Sequence, residues 1–166
     1  MLAVVLALAL LQHTAASIED IDFANLTFPS FAGLESVPLK DGDFCSHPLD
    51  DPTDETCVSL IAVAFGDLTG DGHSEAAVTI GAVFRLGNGS HTTGFVYTLD
   101  EGRPRLIGRF AGGDRWDGSI GKVRIRGGRL LVTRAHGRGE NEEDTFRWNG
   151  RHLVLVSSSV HSVGED

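Results

Sequence analysis

The sequence predicts an all-β protein: a single antiparallel meander forming a small sandwich or open barrel, after an N-terminal signal peptide. Two observations carry the fold class. From Val58 onward, apolar runs rich in β-branched residues succeed one another as VSLIAVAF, EAAVTIGAVF, GFVYTLD, RPRLIGRF, KVRIR, RLLVTRA, DTFRW and HLVLVS. Turn-forming clusters part them about every eight to twelve residues: Gly87-Asn88-Gly89, Asp100-Glu101-Gly102, Gly112-Gly113-Asp114, Gly127-Gly128 and Asn149-Gly150. Helices are not expected, because no segment after the leader keeps a 3.6-residue apolar period and glycine occupies 21 positions.

Residues 1–17, MLAVVLALALLQHTAAS, hold an unbroken apolar run and then the small residues Ala15, Ala16 and Ser17, which is the profile of a signal peptide. The run is shorter than the ~20 apolar residues of a spanning helix. A short membrane anchor or a buried helix is the alternative, and no Lys or Arg precedes the run. Its removal leaves a secreted or periplasmic chain that is not an integral membrane protein. With 166 residues, 41% of them hydrophobic, the chain has room for one modest core. Residues 18–57, an extended segment with a hairpin and a disulfide loop, therefore form one unit with the β domain of residues 58–160.

Within the N-terminal segment, Lys40-Asp41-Gly42-Asp43 lies between apolar flanks, and Asp-Gly suits the tight hairpin turns that need positive φ. Cys45 and Cys57 bracket SHPLDDPTDET, an acidic, proline-bearing loop. Exported thiols tend to pair, and a bridge closing so short a loop contributes roughly 2–3 kcal/mol. Free thiols or metal ligands remain alternatives, without His or Cys spacing nearby to favour them. Toward the C-terminus, KVRIR-GG-RLLVT and DTFRW-NG-RHLVLV predict two hairpins. In the first, Lys122, Arg124 and Arg126 face water while Val123 and Ile125 pack. In the second, Phe146, Trp148, Leu153 and Leu155 are expected core contacts.

The net charge of -9 argues against nucleic acid or an anionic membrane as a partner. Yet ten of the fourteen basic residues fall between Arg103 and Arg138, where the acids are Asp114 and Asp117. Lys122, Arg124 and Arg126, joined by Arg105, Arg109 and Arg134, make a candidate anion-binding face for an envelope polymer. The alternative is a solvated strand face whose charges oppose edge-to-edge aggregation.

The richest chemistry is in residues 63–78, VAFGDLTGDGHSEAAV. Counting from Asp67, oxygen donors fall at Asp67, Thr69 and Asp71, a backbone carbonyl is available at His73, and Glu75 adds a carboxylate. Ca²⁺ takes six to eight such oxygens, and Gly72 provides the sharp turn. The alternative is a hairpin loop whose aspartates accept bonds from neighbouring amides. An EF-hand is excluded, since Val78 replaces the bidentate glutamate and the flanking runs are strands.

Phe65-Gly66-Asp67 through Glu75 resembles the D-x-[DN]-x-D-G-x-x-[DE] loop of FG-GAP and VCBS repeats. That resemblance implies a strand-joining loop with Ca²⁺ held by Asp67, Thr69, Asp71, His73 through its carbonyl, and Glu75. Thr69 replaces the usual Asp or Asn, which implies a weak site, and one copy does not make a propeller. The wider order FANLTFPS, VPLKDGDF, the acidic loop, GGDRWDGSIGKVRIRGGRLLV and DTFRWNGRHLV is similar to an uncharacterised family of exported bacterial proteins. It implies a fold and a compartment, with ENEEDT standing where such proteins often carry Cys-Cys-Pro.

Catalytic signatures are sparse. No paired histidine ligand spacing or G-x-S-x-G motif occurs. Asp114 and Asp117 around Arg115-Trp116 form the one visible carboxylate pair, which also reads as turn chemistry. Asn25-Leu26-Thr27 and Asn88-Gly89-Ser90 are glycosylation sequons for a eukaryotic host. The expectation is a non-catalytic structural or binding module of the cell envelope or extracellular space, with a polymer or a protein as partner. A secreted hydrolase acting on polysaccharide is the alternative.

Overall fold

The computed structural model describes residues 15–46, 55–85, 89–114, 117–136 and 139–162. Two 3-10 turns, Ile18–Asp20 and Phe23–Asn25, precede the strands β1 (Thr27–Phe31), β2 (Leu34–Pro38), β3 (Asp43–Ser46), β4 (Thr56–Gly66), β5 (Glu75–Phe84), β6 (Ser90–Asp100), β7 (Arg103–Asp114), β8 (Asp117–Arg126), β9 (Arg129–His136), β10 (Glu140–Trp148) and β11 (Leu153–Ser162). They make three antiparallel sheets: the β1-β2 hairpin, a five-stranded sheet β3-β4-β5-β6-β7, and a four-stranded sheet β8-β9-β10-β11. Every pair consists of consecutive strands, so the fold is the all-β meander the sequence predicts.

Turn chemistry sets the register. Asp41 and Gly42 take φ of 54° and 93° inside the Lys40–Asp43 bridge. Gly127 and Gly128 take 58° and 69° between Arg126 and Arg129. Both are mirror-image turns whose twist matches that of paired strands. The Asn149-Gly150 connection is longer than the expected two residues: Asn149 N–H donates to the His152 carbonyl, and the Asn149 side-chain oxygen accepts from the amides of Arg151 and His152.

The five-stranded sheet is the middle layer. On one face Ala76, Val78, Ile80, Phe95 and Tyr97 pack under Ile18, Phe23, Phe28 and Val37 of the N-terminal segment. On the other, Ala77, Val96 and Phe110 meet Ile120, Val123, Leu130 and Val132 of the four-stranded sheet. Residues 75–80 of β5 are consequently all buried. Each large apolar side chain so covered contributes about 1.5–3 kcal/mol. At Gly94, the ring of Phe110 from the register partner on β7 lies across the backbone, where a Cβ would stand inside it.

Cys45 and Cys57 are cross-strand partners on β3 and β4 and are bridged. The expected signal peptide falls mostly on residues outside those described. Ala15 N–H donates to the Gly102 carbonyl, and Ser17 caps the first 3-10 turn in a capping box with Asp20. No helix among the described residues is long and apolar enough to cross a membrane. Leu155 departs from expectation. It lies on the outermost strand of its sheet, beside a bulge opposite Thr145/Phe146, and is 51% exposed while Phe146, Trp148 and Leu153 pack.

Candidate functional site

The acidic loop closes the β4–β5 hairpin beyond the Gly66–Glu75 pair. Glu75 is fully buried, and a carboxylate there is tolerable only if its oxygens are occupied. One oxygen accepts from the amides of Leu68 and Thr69, each at 2.9 Å. The other accepts from the hydroxyls of Thr69 and Thr98, each at 3.3 Å. Asp67 accepts from Gly70 N–H at 2.6 Å and Gly72 N–H at 3.1 Å. Gly70 and Gly72, with φ of 82° and 85°, bend the chain back to make those bonds. Asp71 accepts from His73 N–H at 2.9 Å. Leu68 turns inward as a plug in the second core. Hydrogen bonds from Ser17 and Ser74 hold the Glu19 carboxyl below its usual range, tying the loop to the N-terminal turn.

The donors are hard oxygens of the kind Ca²⁺ selects. Their arrangement is that of a loop closed by its own amides. Among the described residues, the trio of His, Cys, Asp or Glu at mutual ligand spacing is Cys45, Glu55 and Cys57, in which the two sulfurs are consumed by the disulfide. Thus Asp67, Asp71 and Glu75 share one loop without converging on one point.

Two clefts flank this loop. The larger, about 460 Å³, runs between Thr69 and Asp71 on the loop and Trp148, Gly150 and Arg151 at the β10–β11 turn, with Arg105, Leu106 and Ile107 of β7 and Thr98 of β6 between them. The smaller, about 270 Å³, lies on the other side of Asp71 and includes His73, Ser74 and Ser17. Asp71 and Thr98 line both.

The expected basic face is divided. Lys122, Arg124 and Arg126 are exposed along β8, with Arg124 paired to Glu143 at 3.4 Å. The three added arginines lie elsewhere. Arg105, which lines the larger cleft, pairs with Asp100 at 3.0 Å. Arg109 lies 5.2 Å over the Phe95 ring. Arg134 turns inward to Asp144 at 2.8 Å.

Of the Asp114/Asp117 pair, Arg115 and Trp116 lie outside the described residues, and only the backbone of Asp117 is described; Asp114 ends β7. Asn88 is likewise outside them. Asn25 is engaged on both sides, accepting from Asp41 N–H at 2.9 Å and donating to Asp22 at 2.7 Å.

Sequence reasoning missed a polar row on the inner face of the four-stranded sheet. Glu142 accepts from Ser158 at 2.6 Å and meets His136 at 3.3 Å, beside Arg134–Asp144. Bonds from Ser158 and then His136 hold the Glu142 carboxyl low. The signal was the period-two spacing of Glu140, Glu142 and Asp144 opposite His136, Arg134 and Val132. Compared with family models, characterised proteins and solved structures, the chain has no match.

Proposed function

We propose that this chain is an exported, non-catalytic binding module of the cell envelope or extracellular space, and that the cleft between the acidic loop and the β10–β11 turn receives an acidic polysaccharide. The observation that carries this reading is the cleft's lining. Trp148 supplies a flat apolar face of the kind that stacks under a sugar ring, and Arg105 and Arg151 supply guanidinium forks that match carboxylate or sulfate groups. Arg105 and its partner Asp100 are both more than half exposed, so an incoming carboxylate exchanges readily for Asp100. Among the described residues Asp71 is the one acid in the lining, whereas hydrolysis by paired carboxylates requires two. In this reading the loop is foremost a clasp. It takes Ca²⁺ weakly, on the order of 10⁻⁴–10⁻³ M, as extracellular modules do, because the ion must draw Asp67 away from the Gly70 and Gly72 amides.

The test is calorimetric titration with polygalacturonate, with neutral dextran as control. Saturable heat is expected from the acidic polymer alone. Trp148→Ala and the double change Arg105→Ser with Arg151→Ser should each weaken binding about tenfold, while Lys122→Ser with Arg126→Ser leaves it unchanged. Equal response to dextran, or loss confined to the Lys122 and Arg126 variant, overturns the cleft.

A further inference from the structure

The outer strands of the two larger sheets are guarded unequally. An unpaired sheet edge is a template for another strand, and proteins blunt edges with charge, proline or shortness. At one end of the five-stranded sheet β3 has four residues and is stapled to β4 by the disulfide. At its other end β7 begins Arg103-Pro104-Arg105 and carries Arg109 and Asp114. The four-stranded sheet has Lys122, Arg124 and Arg126 on β8. Its opposite edge, β11, reads LVLVSSSVHS, with no Lys, Arg, Asp, Glu or Pro. Half of the exposed large hydrophobics among the described residues are on that strand: Leu155 at 51%, Val156 at 42% and Val160 at 59%.

We propose that β11 pairs antiparallel with β11 of a second copy of this chain, about a two-fold axis through Ser158. Register singles out this occupant. Leu155, Ser158 and Val160 stand opposite Phe146, Asp144 and Glu142 of β10. They share one face of the sheet because the bulge at Val156 shifts the alternation by one residue. A two-fold axis at Ser158 sets Ser157 against the partner's Ser159. It also sets Val160 against the partner's Leu155–Val156 bulge, so the exposed apolar groups of each copy cover those of the other. Without the bulge, Leu155 and Val160 would lie on opposite faces. A neutral strand suits self-pairing, since the residue on the axis faces its own copy and a charge there would repel. The two four-stranded sheets then form one continuous sheet through an isologous contact.

Sedimentation velocity at roughly 100 µM, where a modest interface is populated, should show a dimer, and Val160→Lys should return it to monomer with an unchanged melting temperature. Single cysteines locate the axis. Directly opposed residues stand about 4.5–5.5 Å apart between Cα atoms and can bridge, whereas diagonal neighbours at about 7–8 Å cannot. Ser158→Cys alone should therefore give a covalent dimer under mild oxidation, while Ser157→Cys and Ser159→Cys cross-link only when mixed. A monomer at every concentration, as expected if the edge serves a foreign strand, overturns the proposal. So does cross-linking at Ser158 no stronger than at Ser157 or Ser159.

Discussion

Strands β5 and β11 each have ten residues and no lysine or arginine, yet β5 is buried almost throughout and β11 is exposed from Leu155 onward. Both carry large apolar side chains, and place in the sheet decides whether those are covered. β5 has a strand on either side and a layer on either face, and its small residues Ala76, Ala77 and Ala82 let both layers come close. β11 has one neighbouring strand and leaves most of its side chains in water. The lesson is that an apolar strand is only potential core until neighbours enclose it.

The sharpest way to break this contrast is truncation in both strands. Ile80→Ala should cost about 2–5 kcal/mol in urea unfolding, and Leu155→Ala no more than about 0.5 kcal/mol. Similar losses would erase the distinction.

Carboxylates give the next largest separation. Glu75→Ala strands the Leu68 and Thr69 amides beside the core and should cost about 3 kcal/mol. Glu142→Ala on the open sheet should cost less than about 1 kcal/mol. In the same melts, millimolar Ca²⁺ should raise the wild-type melting temperature, and Asp71→Ala should abolish the rise while leaving the EDTA value nearly unchanged.

A third contrast is in pH. Burial pushes the Tyr97 hydroxyl up to about 12, against an opposing pull from Arg109. The folded state therefore keeps its proton where the unfolded chain has lost it, and stability should fall as pH rises from about 10 toward 12. Tyr97→Phe should remove that decline. Glu142 behaves oppositely: its lowered value gives a small stabilisation that is present above its ordinary 4.5 and lost as pH falls below it. Urea midpoints across both ranges check the two signs.

Hairpins were legible in the sequence wherever two adjacent residues fix the turn, as at Asp41-Gly42 and Gly127-Gly128. The partition into three sheets was not, because nothing local in EAAVTIGAVF shows that both of its faces find cover. Leu155 was misplaced for the same reason: alternation marks a face without saying whether anything packs on it, and a bulge intervenes. In the site, the loop residues were visible as a motif. Trp148 and Arg151 reach it together from the β10–β11 turn and Arg105 from β7, far earlier in the chain, and no spacing rule connects the two points. Position marks Glu75 as an oxygen donor of the loop, whereas its burial against Thr98 depends on the sheet that forms around it.

The slot at Gly94 has a consequence for how such a chain diversifies. Because the Phe110 ring fills the space a side chain at position 94 would need, the two positions form a ratchet. Position 110 must shrink before position 94 can grow, and the reverse order passes through an intermediate that expels an aromatic ring from the core. Descendants of this sequence should therefore hold Gly94 for as long as they hold Phe110, with Phe110 released first.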